Sequence, residues 1–165
     1  MVYGLFDNRQ ALIGLSATRP QVWEDPVVHK GRVLGELAQV KLSRFARIQP
    51  EARYLPQVIH PDEHIGGAIF GRCSLGLSML VATDKRIIFL DKKPMFVTED
   101  EINYDGVNGV SYGATGLGAT VTLHTRVKDY KLRTRNQRSA SNFVAYIEPK
   151  CLELSQRMAS YGQIA

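Results

Sequence analysis

Several groups of residues in this chain have the types that do chemistry. His60, Asp62, Glu63 and His64 sit close together, and imidazole with carboxylate is a donor set for zinc or a similar ion. Their spacing matches none of the usual site patterns and no third histidine is near, so they read as a solvated loop leading into a strand. Glu99, Asp100 and Glu101 could pair for acid–base work or hold a hard cation. Three consecutive carboxylates cannot all point into one site from an extended chain, so they read as a solvated edge or loop. The glycine spacing of Gly113-Ala114-Thr115-Gly116-Leu117-Gly118 is only faintly like that of a phosphate-cradling loop. A strand follows rather than a helix, so the aligned amides of a helix N-terminus are missing and a hairpin loop is the reading.

The remaining candidates are cations. Arg72, Lys85, Arg86, Lys92 and Lys93 form one set suited to an anion or an anionic lipid headgroup. Lys131, Arg133 and Arg135 form another, since residues two apart on a strand share a face. No aromatic residue interleaves that face to stack bases, which argues against nucleic acid. There is no nucleophile elbow, no phosphate loop and no Ser-His-Asp set that sequence proximity would support. Each of His29, His60, His64 and His124 has a plain structural reading. The expectation is a protein without catalytic residues, cofactor or metal. Cys73 and Cys151 are far apart and neither belongs to a Cys-x-x-Cys pair, so they read as reduced, partly buried thiols.

The chain has 165 residues, 44% apolar and 22% charged, which suits one globular domain with an extension. Its net charge of +5 divides into +3 over residues 1–60 and +2 over residues 61–165. That excess fits an anionic partner but is too thin for a dedicated nucleic-acid binder. No apolar run approaches the ~20 residues of a membrane-spanning helix. Ala11 to Leu15 is too short for a signal-peptide core. The chain therefore reads as cytoplasmic, with peripheral membrane contact as the alternative.

These candidates need elements to position them. Residues 1–31 read as a short helix and an irregular connector around Trp23, broken by Pro20 and Pro26. Trp23 reads as packed on its own domain, with a partner-binding anchor as the alternative. Gly31 to Ile48 reads as a helix with Val33, Leu37, Val40 and Ile48 on one face, or as two helices with Ser43 capping the second. Pro50 and Pro56 bracket a short helical piece. Strands follow at Ile65 to Arg72, with Gly66 and Gly67 marking a bulge or a close backbone approach, then Leu77 to Ala82, Arg86 to Asp91, and a fourth from Met95. Ala119, Val121 and Leu123 alternate with Thr120, Thr122 and His124, the pattern of a sheet with one wet face. Tyr130 and Leu132 point inward. A C-terminal helix begins near Ser139 or Ser141 and carries an apolar stripe of Phe143, Ile147, Cys151, Leu154 and Met158. Pro149 should kink or break it.

Leu80-Val81-Ala82-Thr83-Asp84-Lys85-Arg86-Ile87-Ile88-Phe89-Leu90 resembles the core hairpin of bacterial pleckstrin-homology-like (PH-like) domains, especially the YokE-like branch. The resemblance runs from about Pro61 to Ile147. It includes Asp62-Glu63-His64-Ile65 and Ile102-Asn103-Tyr104-Asp105. It implies an α+β, mainly β fold: two near-orthogonal antiparallel sheets of about seven strands, capped by the C-terminal helix. It divides the chain into an N-terminal helical extension, 1–60, and a PH-like domain, 61–165. It also implies a non-catalytic binding module for a protein partner or for self-assembly into a homo-oligomer. The alternative is an anionic lipid or another polyanion. Eukaryotic phosphoinositide readers carry a dense basic motif in the first loop, whereas Arg72-Cys73-Ser74-Leu75-Gly76 has one cation.

Overall fold

The computed structural model describes residues 24–162. The expected first helix and the connector through Trp23 fall outside that range. Helix α1 is Pro26–Gln39. It starts before the expected Gly31 because Asp25 accepts a hydrogen bond from the Val27 amide at 2.8 Å, and Pro26 has the φ that a first helical position needs. Pro26 is thus a helix starter rather than a breaker. Lys41 takes a left-handed φ of 64° just beyond the helix end. Ser43 then caps α2, Arg44–Arg47, accepting from the Ala46 amide at 3.2 Å. The two-helix alternative is the one that forms. It turns Arg44 and Ile48 out to solvent, so Ile48 does not share the α1 face. Helix α3, Pro50–Tyr54, runs into a 3-10 turn at Leu55–Gln57.

The strands are β1 Ile65–Cys73, β2 Gly76–Thr83, β3 Ile87–Lys92, β4 Val97–Ile102, β5 Val107–Thr115, β6 Gly118–Thr125 and β7 Asp129–Thr134. They form one antiparallel sheet in the order β4-β3-β2-β1-β7-β6-β5. Its two halves join at a seam where β1 and β7 share a single register pair, Arg72 with Arg133. Gly71 lies at that seam because any Cβ there would meet the Arg133 carbonyl oxygen at 2.4 Å. The bulge expected at Gly66 and Gly67 is present as a register shift between β1 and β2. The Tyr146 ring sits over Gly66, in the space a side chain would need. The acidic run Glu99-Asp100-Glu101 lies inside β4, an edge strand, rather than in a loop after it.

Two apolar cores share this sheet. The inner one joins Ile69, Leu80, Phe89, Leu123 and Leu132 to Phe143 and Ile147 of α4, Gln137–Gly162. The outer one joins Ala68, Phe70, Met79, Val81 and Ile88 to Val33 and Leu37 of α1 and to Leu42, Ala46 and Leu55. Residues 26–59 therefore form a layer on the outer face of β1–β3. Burying each Leu, Ile or Phe contributes roughly 1.5–3 kcal/mol, so this layer is a substantial share of the stability.

Helix α4 begins earlier than Ser139. Asn136 supplies the cap, its Oδ1 accepting from the Ser139 amide at 3.2 Å. The helix continues through Pro149 without the expected break. Proline there removes the hydrogen bond to the Ala145 carbonyl, but Ala145 and Pro149 both face solvent, where water can take the bond. Past Pro149 the stripe thins: Cys151 and Leu154 pack on the inner core, whereas Leu152, Met158 and Tyr161 are exposed.

Candidate anion-binding surface

The β2–β3 turn absorbs part of the cation set. Arg86 lies against Glu63, whose carboxylate is fully buried, with Nε to Oε1 at 3.0 Å and Nη2 to Oε2 at 3.1 Å. Nη2 also donates to the Val58 carbonyl at 2.9 Å, and Nη1 pairs with Glu101 on β4. The Thr83 hydroxyl donates to Glu63 at 2.7 Å, and the His60 amide donates to it at 3.1 Å. The Lys85 and Arg86 amides bond back to the Thr83 hydroxyl oxygen, so Thr83 organises the turn. Asp84 instead accepts from the His64 amide, tying the turn to the segment before β1.

Burial pushes the Glu63 carboxyl upward, but Arg86, Thr83 and the His60 amide outweigh it and hold it below the usual glutamate range. Glu63 is therefore an interior anchor rather than part of a solvated loop. Arg86 is its counter-ion, with four of its five N–H donors directed at Glu63, Val58 and Glu101. Lys85 pairs with Asp62. Lys93 Nζ lies 2.9 Å from Asp91 Oδ1, an electrostatic contact to a nearly buried carboxylate. Lys92 Nζ sits 5.8 Å above the Tyr54 ring, a cation–π contact onto α3. Lys128 pairs with Asp100 at 2.7 Å, closing the sheet between β4 and the β6–β7 turn.

Arg72, Lys131, Arg133 and Arg135 differ from all of these. All four are exposed, and among the described residues none makes an ion pair. Strand phase sends them outward. Phe70 on β1 faces the outer core while Tyr130 and Leu132 on β7 face the inner one, so Arg72, Lys131 and Arg133 project from the outer side. The seam sets Arg72 directly opposite Arg133. Like charges opposite one another on a sheet repel, and neither is paired with a described carboxylate; Asp129 lines the neighbouring hollow. Arg72, Arg133 and Arg135 line a groove of about 910 Å³ between α2 and the seam. Arg72, Lys131 and Arg133 also line a second hollow of about 460 Å³ near the β1–β2 and β6–β7 turns. The two cation sets read from the sequence are thus rearranged: Arg72 joins the strand face, and the other four remain with the hairpin and the N-terminal layer.

One arrangement escaped the sequence. Ser111 Oγ is 2.8 Å from His124 Nε2, and His124 Nδ1 is 2.9 Å from Asp129 Oδ2, across three adjacent strands. The register pairs Gly109 with His124, Ser111 with Thr122 and His124 with Asp129, which brings the three side chains to one face. They lie on an open strand face rather than in a cleft. The His124 and Asp129 side chains are 39% and 57% exposed, so water competes at every position. The backbone of β6 is paired on both sides, leaving its amides committed to the ladder. The arrangement pins the β5 edge to β6 and β7. Among the described residues, no group of three His, Cys, Asp or Glu side chains is placed to hold a metal, and both cysteines are free thiols.

A seven-stranded antiparallel sheet packed against a C-terminal helix has the architecture of a PH-like domain. The chain belongs to the bacterial PH domain family, whose model matches residues 59–149. Among solved structures it is similar to a DUF1696 family protein with a pleckstrin-homology domain from Shewanella loihica PV-4. The two are 18% identical over 63% of this chain and 92% of that one, with a TM-score of 0.37. No curated protein matches the sequence. PH domains are generally non-catalytic binding modules. No described helix is long and apolar enough to cross a membrane.

Proposed function

We propose that the chain is a non-catalytic binding module whose partner is a protein and whose contact surface is the cationic seam. The observation that carries this reading is the opposition of Arg72 and Arg133 at the one register pair joining the two half-sheets. Arg86, Lys85, Lys93 and Lys128, by contrast, are each met by a carboxylate. A like-charge pair at a structural junction weakens the free protein, and an anionic partner relieves it. The hairpin from Leu80 to Leu90 supports placement in the YokE-like branch, and we take residues 1–60 as an extension of the domain at 61–165. A cytoplasmic location, with membrane contact at most peripheral, accords with this reading.

The test is fluorescence anisotropy with labelled oligoglutamate at low and high salt. Binding should weaken as salt rises and should vanish in the Arg72→Glu, Arg133→Glu double variant. Equal binding by that variant and the wild type would remove the seam as the site. Co-sedimentation with phosphatidylserine vesicles, without binding to oligoglutamate, would favour the lipid alternative.

A second reading, self-assembly, rests on the free edges of the sheet. The edge strand β4 carries Glu99, Asp100 and Glu101, which protect it from pairing. The other edge, β5, has no charged residue and no proline in Val107–Thr115. Exposed Leu152, Met158 and Tyr161 on α4 add apolar surface for a second copy. Light scattering after size exclusion should then give one oligomer at low and high salt, unchanged by Lys92→Glu with Lys93→Glu. A monomer at both salts would end this reading.

A further inference from the structure

Resting on the seam as the contact surface, we propose that the groove between α2 and the seam takes an extended acidic segment of the partner protein. One aromatic or aliphatic side chain of that segment is seated between Phe45 and Leu77. The groove has two unlike walls. On the α2 side Phe45 is 62% exposed, and its ring meets that of nearly buried Phe70 edge-on at 6.2 Å. Leu77 of β2, 41% exposed, continues the apolar patch, and buried Leu42 and Ala46 lie beneath it. On the seam side stand Arg72, Arg133 and Arg135. No carboxylate lines the groove, so complementary charge must come from the occupant.

This pairing of features selects the occupant. At about 910 Å³ the groove is at the upper end of the range of ligand pockets, roomy enough for a run of backbone with one large side chain. A bilayer is flat and reaches such a surface only where apolar side chains project beyond the cations. Here the apolar residues Phe45 and Leu77 line a groove between a helix and a strand seam. A nucleic acid would want several stacking rings, and Phe45 is the groove's one exposed aromatic residue. The chain's own residues 1–23 carry one carboxylate, Asp7, against Arg9 and Arg19, and so lack the complementary charge. An acidic segment with an apolar anchor meets both walls at once, the anchor supplying most of the specificity and the carboxylates the attraction.

The experiment uses two labelled acidic peptides on the full chain, one with a single central tryptophan and one with serine in its place. The wild type should bind the tryptophan peptide about tenfold more tightly, the scale of one well-seated anchor. Phe45→Ser should erase that preference while leaving the serine peptide's salt-sensitive binding as it was. Leu77→Ser, on a different element, should do the same, and a circular dichroism melt of each variant verifies the fold. Should both variants keep the preference, or should the wild type show none, the groove assignment is overturned while the seam reading stands. Should Arg72→Glu with Arg133→Glu leave both peptides bound, both readings fall. Binding to phosphatidylserine vesicles or to single-stranded DNA, with neither peptide bound, also overturns the assignment.

Discussion

Strand β3 is buried at every position from Ile87 to Asp91, whereas β7 buries Tyr130, Leu132 and Thr134 and exposes Asp129, Lys131 and Arg133. The two strands belong to one sheet and face one inner core, so the difference lies on the outside. Over β1–β3 the outer face carries α1, α2 and α3; over β5–β7 it meets water. Charge follows the same division. In the covered half Arg86, Lys85 and Lys93 are consumed by Glu63, Asp62 and Asp91 as the N-terminal layer and the turns are fastened down. In the bare half Lys128 at the β6–β7 turn pairs with Asp100, but Lys131, Arg133 and Arg135 remain unpaired at the surface, joined by Arg72 from the far side of the seam. A buried cation must be paired because desolvation is costly, while an exposed one is held in place by water alone and stays free for a partner. Stability is therefore concentrated in one half of the outer surface, and the proposed binding surface starts where the covering layer stops.

The sharpest way to break this comparison is to unpair the covered half. Glu63→Ala should cost about 3–5 kcal/mol, because it leaves the Arg86 guanidinium largely buried with Glu101 at its edge as the remaining counter-ion. Urea unfolding monitored by circular dichroism measures this. A loss below about 1 kcal/mol, the scale of an exposed pair, would mean that the turn is not organised around that pair. The same pair sets an acid limit. The Glu63 carboxyl is held below its ordinary value, as is that of Glu36, where burial is outweighed by His64, the Ile65 amide and Arg32. For a lowered folded-state pKa, the stabilisation is complete above the unfolded value near 4.5 and is lost as the pH falls through the folded one. Midpoints from urea melts should be flat above that pH and drop below it. In Glu63→Ala the drop should shrink to the share that Glu36, Glu24 and Asp62 contribute.

A smaller effect, and a direct comparison of the two outer faces, comes from Leu37→Ala beside Thr122→Ala. Leu37 is wholly buried between α1 and the sheet, so its truncation should cost about 2–5 kcal/mol. Thr122 lies on the wet face of β6 and should change stability by no more than about 0.5 kcal/mol. Similar losses at the two sites would mean that the outer faces are equally covered.

Much of this division was legible in the chain. Met79 to Ala82 and Ile87 to Leu90 are unbroken apolar runs, and a strand apolar on both faces must be covered on both; β6 and β7 alternate, as a half-wet sheet does. The hairpin motif carried the fold. Partnerships made over long separations were not legible. Glu63 stood among polar neighbours, and nothing local marks it as the group that buries with Arg86 more than twenty positions later. The line from Ser111 through His124 to Asp129 depends on the register of β5 on β6 and β6 on β7, and the opposition of Arg72 and Arg133 on a seam pairing the first strand with the last. Local signals misled where one residue has two uses. Pro26 reads as a breaker but starts α1, and Pro149 reads as a breaker but sits on an exposed helix face where its lost hydrogen bond goes to water.

The smallest predicted effect has the opposite sign. Arg133→Gln should stabilise the free protein by about 0.2–1 kcal/mol, because it removes one of two like charges facing each other at the seam. It should also weaken oligoglutamate binding several-fold. High salt should shrink the gain by screening the repulsion, a dependence that a pure packing effect would not have. A gain in stability coupled to a loss of affinity marks residues kept for a partner at the expense of the fold. Lys85→Gln is the control from the other half. Lys85 already has its carboxylate in Asp62, so its substitution should bring no gain in stability and leave oligoglutamate binding unchanged. If Arg133→Gln destabilises the chain as well as weakening binding, Arg133 belongs with Arg86 as part of the scaffold, and the contrast between the two halves of the sheet no longer holds for their charges.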